Sequence, residues 1–178
     1  YFESFIDQFN KNKIIIDTKT CSIFFEDILK RKFKILKFED PTYLMKAIKN
    51  KIEIKNMIES HIIDGVALTK FLYWMKVSNK KKITEFDAQK KLEKFRKMNK
   101  NYLYPSFNTI AGSGKNGAIV HYRATKKKCR IIKKKDIFLC DSGGQYKYGT
   151  TDVTRTICFS KPKPLIKNIF TKVLKGHI

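Results

Sequence analysis

Apolar residues recur every four positions through the middle of the chain. The residues at this spacing are Ile54, Ile58, Ile62 and Val66. Side chains four residues apart share one face of an α-helix. The pattern therefore predicts a long helix over about 51–77. Its apolar stripe is expected to face the core, with Trp74 packed in the same core.

A second helix is predicted from residue 84. Thr84 is a candidate N-cap, and Asp87 takes the place that Glu or Gln occupies in a capping box. Apolar side chains at Phe86, Leu92 and Phe95 give this helix a weaker stripe. Its basic residues are expected to form a solvated face: Lys90, Lys91, Lys94, Arg96 and Lys97.

The first fifty residues carry shorter signals. Apolar runs at 14–16 and 23–25 are consistent with two strands, or with a strand and a helix. Asp40 followed by Pro41 is a helix-start signal, which predicts a short helix from there. We expect a boundary between two domains near residues 40–50, giving domains 1–45 and 46–178.

Strand and turn signals dominate from residue 106. The glycines of GSGKNG, residues 112–117, predict a turn, because the spacing of a P-loop and its following Ser or Thr are missing. The apolar run 118–120 then predicts a strand. The basic run 126–136 is expected to be an exposed connection with a core contact at 131–132. Proline at 162 and 164 predicts a final helix over about 165–176.

Residues 137–159 have the pattern of a β-hairpin that carries two aspartates. If its turn centres near Tyr146 and Lys147, Asp141 and Asp152 lie opposite each other with Cβ atoms about 5 Å apart. Two unpaired carboxylates at that distance repel each other. One divalent cation, or two about 3.5–4 Å apart, would remove the repulsion. The alternative is a hairpin with two solvated aspartates.

The composition is globular, with 42% hydrophobic and 31% charged residues, and the formal net charge is +23 over 178 residues. Such an excess favours polyanionic partners. However, lysine mixed with isoleucine and asparagine runs through the predicted helices and loops alike, and genome composition produces the same bias. We therefore expect a salt-sensitive, non-specific affinity for polyanions rather than specific nucleic-acid binding.

The cysteines lack the spacing of a metal site or a disulfide framework. They are Cys21, Cys129, Cys140 and Cys158, without a CxxC pair. We expect reduced, buried thiols of an intracellular protein. No stretch reaches the roughly 18 apolar residues that span a bilayer, and the N-terminus has no signal-peptide pattern. Because no initiator methionine is present, we expect the numbering to begin inside a longer protein.

Three motifs follow one another in a fixed order: PSFNTIAGSGKNGAIVHY at 105–122, DSGGQYKYGTTDVTRT at 141–156 and VLKGHI at 173–178. In this order the chain closely resembles aminopeptidase P, the Xaa-Pro aminopeptidase, of the pita-bread (creatinase-like) metallopeptidases. The resemblance is dense over 105–178 and looser back to about residue 40. It implies an α/β (α+β) fold, in which the N-terminal half of a pita-bread domain follows the end of a creatinase-like N-terminal domain.

The resemblance also implies a site. Asp141 and Asp152 match its first two metal ligands, with Asp152 bridging two ions and Asp141 chelating one, and His121 matches its substrate-contacting histidine. Hard oxygen ligands suit manganese, with two ions in a complete site. The family completes that site with a histidine and two glutamates further along its chain, and His177 does not correspond to that histidine. The 178 residues alone are therefore expected to be inactive.

The implied activity is removal of the N-terminal residue from peptides with proline in the second position. The implied partners are such peptides and, by family analogy, a second copy in a homodimer, with a cytoplasmic location and no membrane. The alternative is a metal-free pita-bread module that binds protein or nucleic acid.

Overall fold

The computed structural model describes residues 1–78 and 82–178. The chain divides into two compact units, Tyr1–Asn50 and Lys51–Ile178. None of the helices in these described ranges is long and apolar enough to cross a membrane.

The first unit is a small α/β unit around a two-stranded parallel sheet. Its elements are α1 Phe2–Ile6, β1 Lys13–Ile16, α2 Ile23–Lys30, β2 Lys34–Lys37 and α3 Pro41–Ala47. The early apolar runs are thus a strand and a helix. The Asp40 side chain caps α3 by accepting a hydrogen bond from the Thr42 N–H, as its sequence predicted. The unit buries its own core: Ile6, Ile16, Ile28, Leu29 and Phe33.

In its described residues, the second unit begins with two helices and continues with six strands and a closing helix. Its elements are α4 Lys51–Val77, α5 Glu85–Arg96, β3 Tyr102–Pro105, β4 Ile110–Ser113, a 3₁₀ turn Gly114–Ala118, β5 Ile137–Ser142, β6 Gly144–Tyr146, β7 Gly149–Thr150, β8 Val153–Cys158 and α6 Pro164–His177. The strands form two antiparallel three-stranded sheets, β4-β5-β8 and β3-β6-β7. The predicted α/β (α+β) mixture of helices and strands is confirmed.

The core of this unit lies between the two long helices and the β4-β5-β8 sheet. Phe71 of α4 faces Phe138 of β5, with ring centroids 6.4 Å apart. Trp74 packs at the edge of this core, as predicted. The buried members are Leu68, Phe71, Met75, Ile83, Ala88, Leu92, Ala111, Ile132, Phe138 and Cys140. Alternate residues of β5 point into this core, so Asp141 faces the other way.

The bounds of α4 match the prediction, but its buried face does not. The predicted core stripe is exposed: Ile54 48%, Ile58 57%, Ile62 63% and Val66 51%. The helix instead buries a face that also has helical spacing: Ser60, Asp64, Ala67, Leu68, Phe71 and Met75. The expectation was wrong because this second face begins with two polar residues, which a count of apolar positions passes over.

The segment around the 112–117 glycines also differs from its prediction. Residues 118–120 do not form a strand, because the 3₁₀ turn ends at Ala118 and a tight turn follows. Gly112 belongs to β4 rather than to a turn, and it lies against the 3₁₀ backbone. A Cβ added to Gly112 would lie 2.8 Å from the Cα of Gly117. This close approach requires glycine.

Several smaller predictions have mixed outcomes. Thr84 and Asp87 form the predicted capping box, and Ile132 makes the predicted core contact. Arg96, expected on a solvated face, is 1% exposed. All four cysteines are free, but only Cys140 is buried as expected: Cys21 and Cys129 are half-buried and Cys158 is exposed.

Candidate active site

The two aspartates lie on one hairpin, at a register that differs from the predicted one. Asp141 pairs with Thr154 rather than with Asp152. The turn falls at Lys147 and Tyr148, between the paired residues Tyr146 and Gly149, one position later than predicted. A displacement of two residues keeps side chains on their original face, since side chains alternate along a strand. Asp152 therefore still lies on the face of the hairpin that carries Asp141.

An open cavity of about 520 Å³ lies on this face. Its lining brings together the three residues that the sequence singled out, His121, Asp141 and Asp152. The other lining residues are Phe107, Asn108, Ile110 and Arg123. Four segments therefore converge on one space: the approach to β4, the turn that carries His121, the end of β5 and the approach to β8.

The carboxylates of the cavity have few protein partners. Asp141 accepts a hydrogen bond from the Thr154 hydroxyl at 2.9 Å. Within residues 1–78 and 82–178, neither Asp141 nor Asp152 forms an ion pair. Their oxygen atoms are the donor type that hard divalent cations prefer.

The number of donors falls short of a complete metal site. In the part of the chain that the structure describes, no group of three or more His, Cys, Asp and Glu residues is arranged to hold a metal ion. The two aspartates thus fit a divalent ion by chemistry and supply two of the residues that a dinuclear site needs.

His121 has a strained backbone. The Tyr122 N–H donates to the Ile119 carbonyl at 3.2 Å, which closes a four-residue turn. His121 is the third residue of this turn and has φ +53°, in the left-handed region. Glycine or asparagine is favoured at such a position, and other residues pay about 1–2 kcal/mol there. Strain of this kind concentrates at functional sites.

A buried carboxylate, Glu85, lies behind the His121 turn. It is 0% exposed at the start of α5. It accepts hydrogen bonds from the Ser113 N–H at 2.7 Å, the Tyr122 hydroxyl at 2.7 Å and the Arg130 N–H at 2.8 Å. The Asn116 side chain donates to it at 3.0 Å. Burial, and next the Glu85 hydrogen bond, raise the pKa of Tyr122 to about 12.

A second buried network lies behind the hairpin. Arg96 contacts Asp64 through two nitrogen–oxygen pairs at 2.6 and 3.0 Å, and it donates to the Ser142 hydroxyl at 3.0 Å. The Tyr146 hydroxyl donates to Asp64 at 2.7 Å. Burial, followed by this hydrogen bond, raises the pKa of Tyr146 above its ordinary value. The network therefore braces the hairpin directly beside Asp141.

Sequence reasoning missed both networks. Asp64 and Arg96 lie 32 residues apart and Glu85 and Tyr122 lie 37 apart, so no local pattern connects them. The sequence contains one indication that Asp64 is buried, which is its helical spacing. This residue lies four residues from Ser60 and from Leu68, on the helix face that is buried.

The fold is that of a known metallopeptidase family. The chain belongs to metallopeptidase family M24, whose sequence profile matches residues 55–178. The Xaa-Pro aminopeptidase ApepP of Drosophila melanogaster is 46% identical over 140 residues, which are 78% of this chain and 23% of the relative. Aminopeptidase P2 of Arabidopsis thaliana is 44% identical over 142 residues, 79% of this chain and 20% of the relative. The chain thus spans about a quarter or less of the length of these curated relatives.

Solved structures show the same relationship. An X-prolyl aminopeptidase of Caenorhabditis elegans, described as a cytosolic enzyme with a di-nuclear active site, superposes with a TM-score of 0.70 at 31% identity. The match covers 78% of this chain and 23% of that one. The prolidase of Pyrococcus horikoshii superposes with a TM-score of 0.78 at 26% identity over 98% of this chain and 49% of that one. The predicted resemblance to the pita-bread metallopeptidases is confirmed.

Proposed function

We propose that the whole protein is a metal-dependent aminopeptidase that releases the N-terminal residue from peptides with proline in the second position. The observation that carries this proposal is the cavity that collects Asp141, Asp152 and His121. Relatives with 44–46% identity that bear the name Xaa-Pro aminopeptidase or aminopeptidase P support the reaction. Residues 46–178 belong, in this proposal, to the catalytic domain, and residues 1–45 to the end of the domain before it.

Asp141 and Asp152 would be the residues of this chain that hold the two divalent ions. The di-nuclear active site of the C. elegans neighbour supports two ions, and manganese, which we propose for them, is among the hard cations that oxygen donors suit. Such ions supply a low-pKa water as nucleophile and polarise the scissile carbonyl group.

His121 would act on the substrate. Its side chain lines the same cavity as the two aspartates, so it can donate a hydrogen bond to the scissile region and stabilise the negative charge that develops there. The apolar side chains of Phe107 and Ile110 line the cavity as well. They offer a surface to the proline ring, which lacks an amide N–H to recognise.

We propose the location and oligomeric state of the enzyme from the same relatives. The cytosolic C. elegans neighbour supports a cytoplasmic enzyme, and the family resemblance supports a homodimer acting on free peptides.

Substitution of the three cavity residues in the whole protein tests the proposal. We expect Asp152→Asn or Asp141→Asn to release at least one ion and to abolish release of the first residue from an Xaa-Pro peptide. His121→Ala should keep the metal and lose roughly 100- to 1,000-fold in turnover, the usual loss for one such donor. The measurements are manganese content by mass spectrometry and turnover on matched Xaa-Pro and Xaa-Ala peptides.

Asp27→Asn is the matched control, because this carboxylate is exposed in the first unit and far from the cavity residues in sequence. Full activity of the Asp152→Asn protein would overturn the assignment. A metal-free, inactive wild-type protein would overturn the enzyme proposal itself.

A further inference from the structure

The Glu85 carboxylate is buried without a cation. Among the described residues it forms no ion pair, and it is 0% exposed. Burial of a carboxylate is costly unless hydrogen bonds replace its water. Here neutral donors replace that water: the Ser113 N–H, the Arg130 N–H, the Asn116 amide and the Tyr122 hydroxyl.

Two of these donors, Ser113 and Tyr122, belong to segments that line the cavity through Ile110 and His121. Ser113 ends β4, and Asn116 lies in the 3₁₀ turn. The Asn116 carbonyl also accepts from the Ile119 N–H at 3.2 Å, so it holds the first residue of the His121 turn. Tyr122 is the last residue of that turn. Glu85 is therefore connected to both ends of the turn.

The turn has few other anchors. Ile119 and Val120 are 52% and 82% exposed, and His121 is exposed with φ +53°. Tyr122 is the buried end of the turn, at 7% exposure, and its hydroxyl lies 2.7 Å from a Glu85 oxygen and 2.9 Å from the Asn116 amide nitrogen. These two contacts hold the Tyr122 side chain in place, and Tyr122 is the residue next to His121 in the chain.

From this geometry we propose that Glu85 is a positioning residue, which acts through the Tyr122 hydroxyl to hold His121 in its strained conformation in the cavity. The inference rests on the proposed function for its consequence in turnover. The hydrogen bonds and the strained turn, from which the positioning role is inferred, do not depend on the proposed function.

Tyr122→Phe is the sharpest test, because it keeps the buried ring and removes only the hydroxyl. In the whole protein we expect turnover of an Xaa-Pro peptide to fall roughly 3- to 10-fold, the equivalent of one net hydrogen bond. Manganese content and KM should stay unchanged. In a His121→Ala background the same substitution should have no further effect, because the group being positioned is gone. A purely structural hydroxyl would cost the same factor in both backgrounds.

Tyr102→Phe is the matched control. Tyr102 is also buried, and its hydroxyl has no hydrogen-bond partner in the described structure and lies outside the cavity lining. This variant should keep wild-type turnover. Glu85→Gln should lower turnover more than Tyr122→Phe does. The NH₂ group of the new side chain would face the N–H and O–H donors that now bond to the Glu85 carboxylate. If Glu85→Gln fails to fold, Tyr122→Phe still decides.

A second measurement is independent of activity. With ¹³C-labelled histidine, the ring signal of His121, assigned from its loss in His121→Ala, should move in Tyr122→Phe and stay in place in Tyr102→Phe. Wild-type turnover with an unmoved His121 signal in Tyr122→Phe would overturn the positioning role. If the wild-type protein lacks peptidase activity, the proposed function fails, and the His121 signal alone decides the inference.

Discussion

At the scale of single residues, one buried ion pair supports the hairpin that carries Asp141. Arg96 and Asp64 are 1% and 2% exposed and meet with two short contacts behind β5. Desolvation of both groups is costly, and their attraction together with the Ser142 and Tyr146 hydrogen bonds offsets that cost. Removing one partner leaves the other charge buried and uncompensated.

Arg96→Met should therefore lower the free energy of unfolding by about 3–5 kcal/mol. Adding Asp64→Asn should recover part of that loss, because no charge then stays buried. Urea denaturation followed by circular dichroism measures both effects. Arg155→Met is the control, since Arg155 is exposed on β8 and should change stability by less than about 0.5 kcal/mol. A loss below about 1 kcal/mol in Arg96→Met would contradict the role of the pair.

The strain at His121 gives a second residue-scale prediction. Because φ is +53° there, His121→Gly should be more stable than His121→Ala by up to about 1 kcal/mol, despite the greater chain entropy of glycine. Melting temperatures of the two variants measure the difference. At Val120, whose φ is not positive, Val120→Gly should instead be less stable than Val120→Ala. The same order at both positions would argue against strain at His121.

At the scale of elements, the sequence predicted where helices begin and end better than it predicted which helix face is buried. The limits of α4 follow from its long uninterrupted helical pattern, and the caps of α3 and α5 follow from side chains that bond within three residues. The buried face of α4 depends on what packs against it. Asp64 is buried because Arg96 and Tyr146 reach it from 32 and 82 residues away, and no local pattern carries that information.

The hairpin shows a similar limit. Sequence placed both aspartates on one face, and the cavity brings them together, but the turn was placed one residue early. Lys147 and Tyr148 form the connection, and neither is a typical residue of a tight hairpin turn. The glycines nearby serve a different purpose. Gly143 is needed because the Thr151 carbonyl and the Ser106 hydroxyl occupy the space of a Cβ.

Gly143→Ala should therefore destabilise the protein by about 1–3 kcal/mol or more, since it overpacks a contact with the backbone that leads to Asp152. Gly65→Ala is the matched control. Gly65 lies inside α4, and a Cβ there meets nothing within 4 Å. That substitution should stabilise the helix by about 0.5–1 kcal/mol. Thermal unfolding of both variants measures the two effects. An unchanged stability in Gly143→Ala would contradict the prediction, because it would show that the backbone around residue 143 adjusts without cost.

At the scale of the whole molecule, the charge is a property that the cavity does not explain. The chain carries 39 Lys and Arg residues against 16 Asp and Glu residues, a formal net charge of +23. Some of the charges are neutralised locally, as in Arg96 with Asp64, but many lysines are exposed. A cavity lined by two carboxylates does not require such an excess. Its consequence is a field that attracts any polyanion.

We therefore expect this chain to bind heparin and single-stranded oligonucleotides with an affinity set by salt and not by sequence. The logarithm of the binding constant should fall linearly with the logarithm of salt concentration, because binding releases condensed counterions. Fluorescence anisotropy with two oligonucleotides of equal length and unrelated sequence measures both properties. Equal affinities that vanish together at high salt would trace binding to net charge alone. Binding that persists at high salt, or that separates the two sequences, would require contacts with bases and would contradict a purely electrostatic origin.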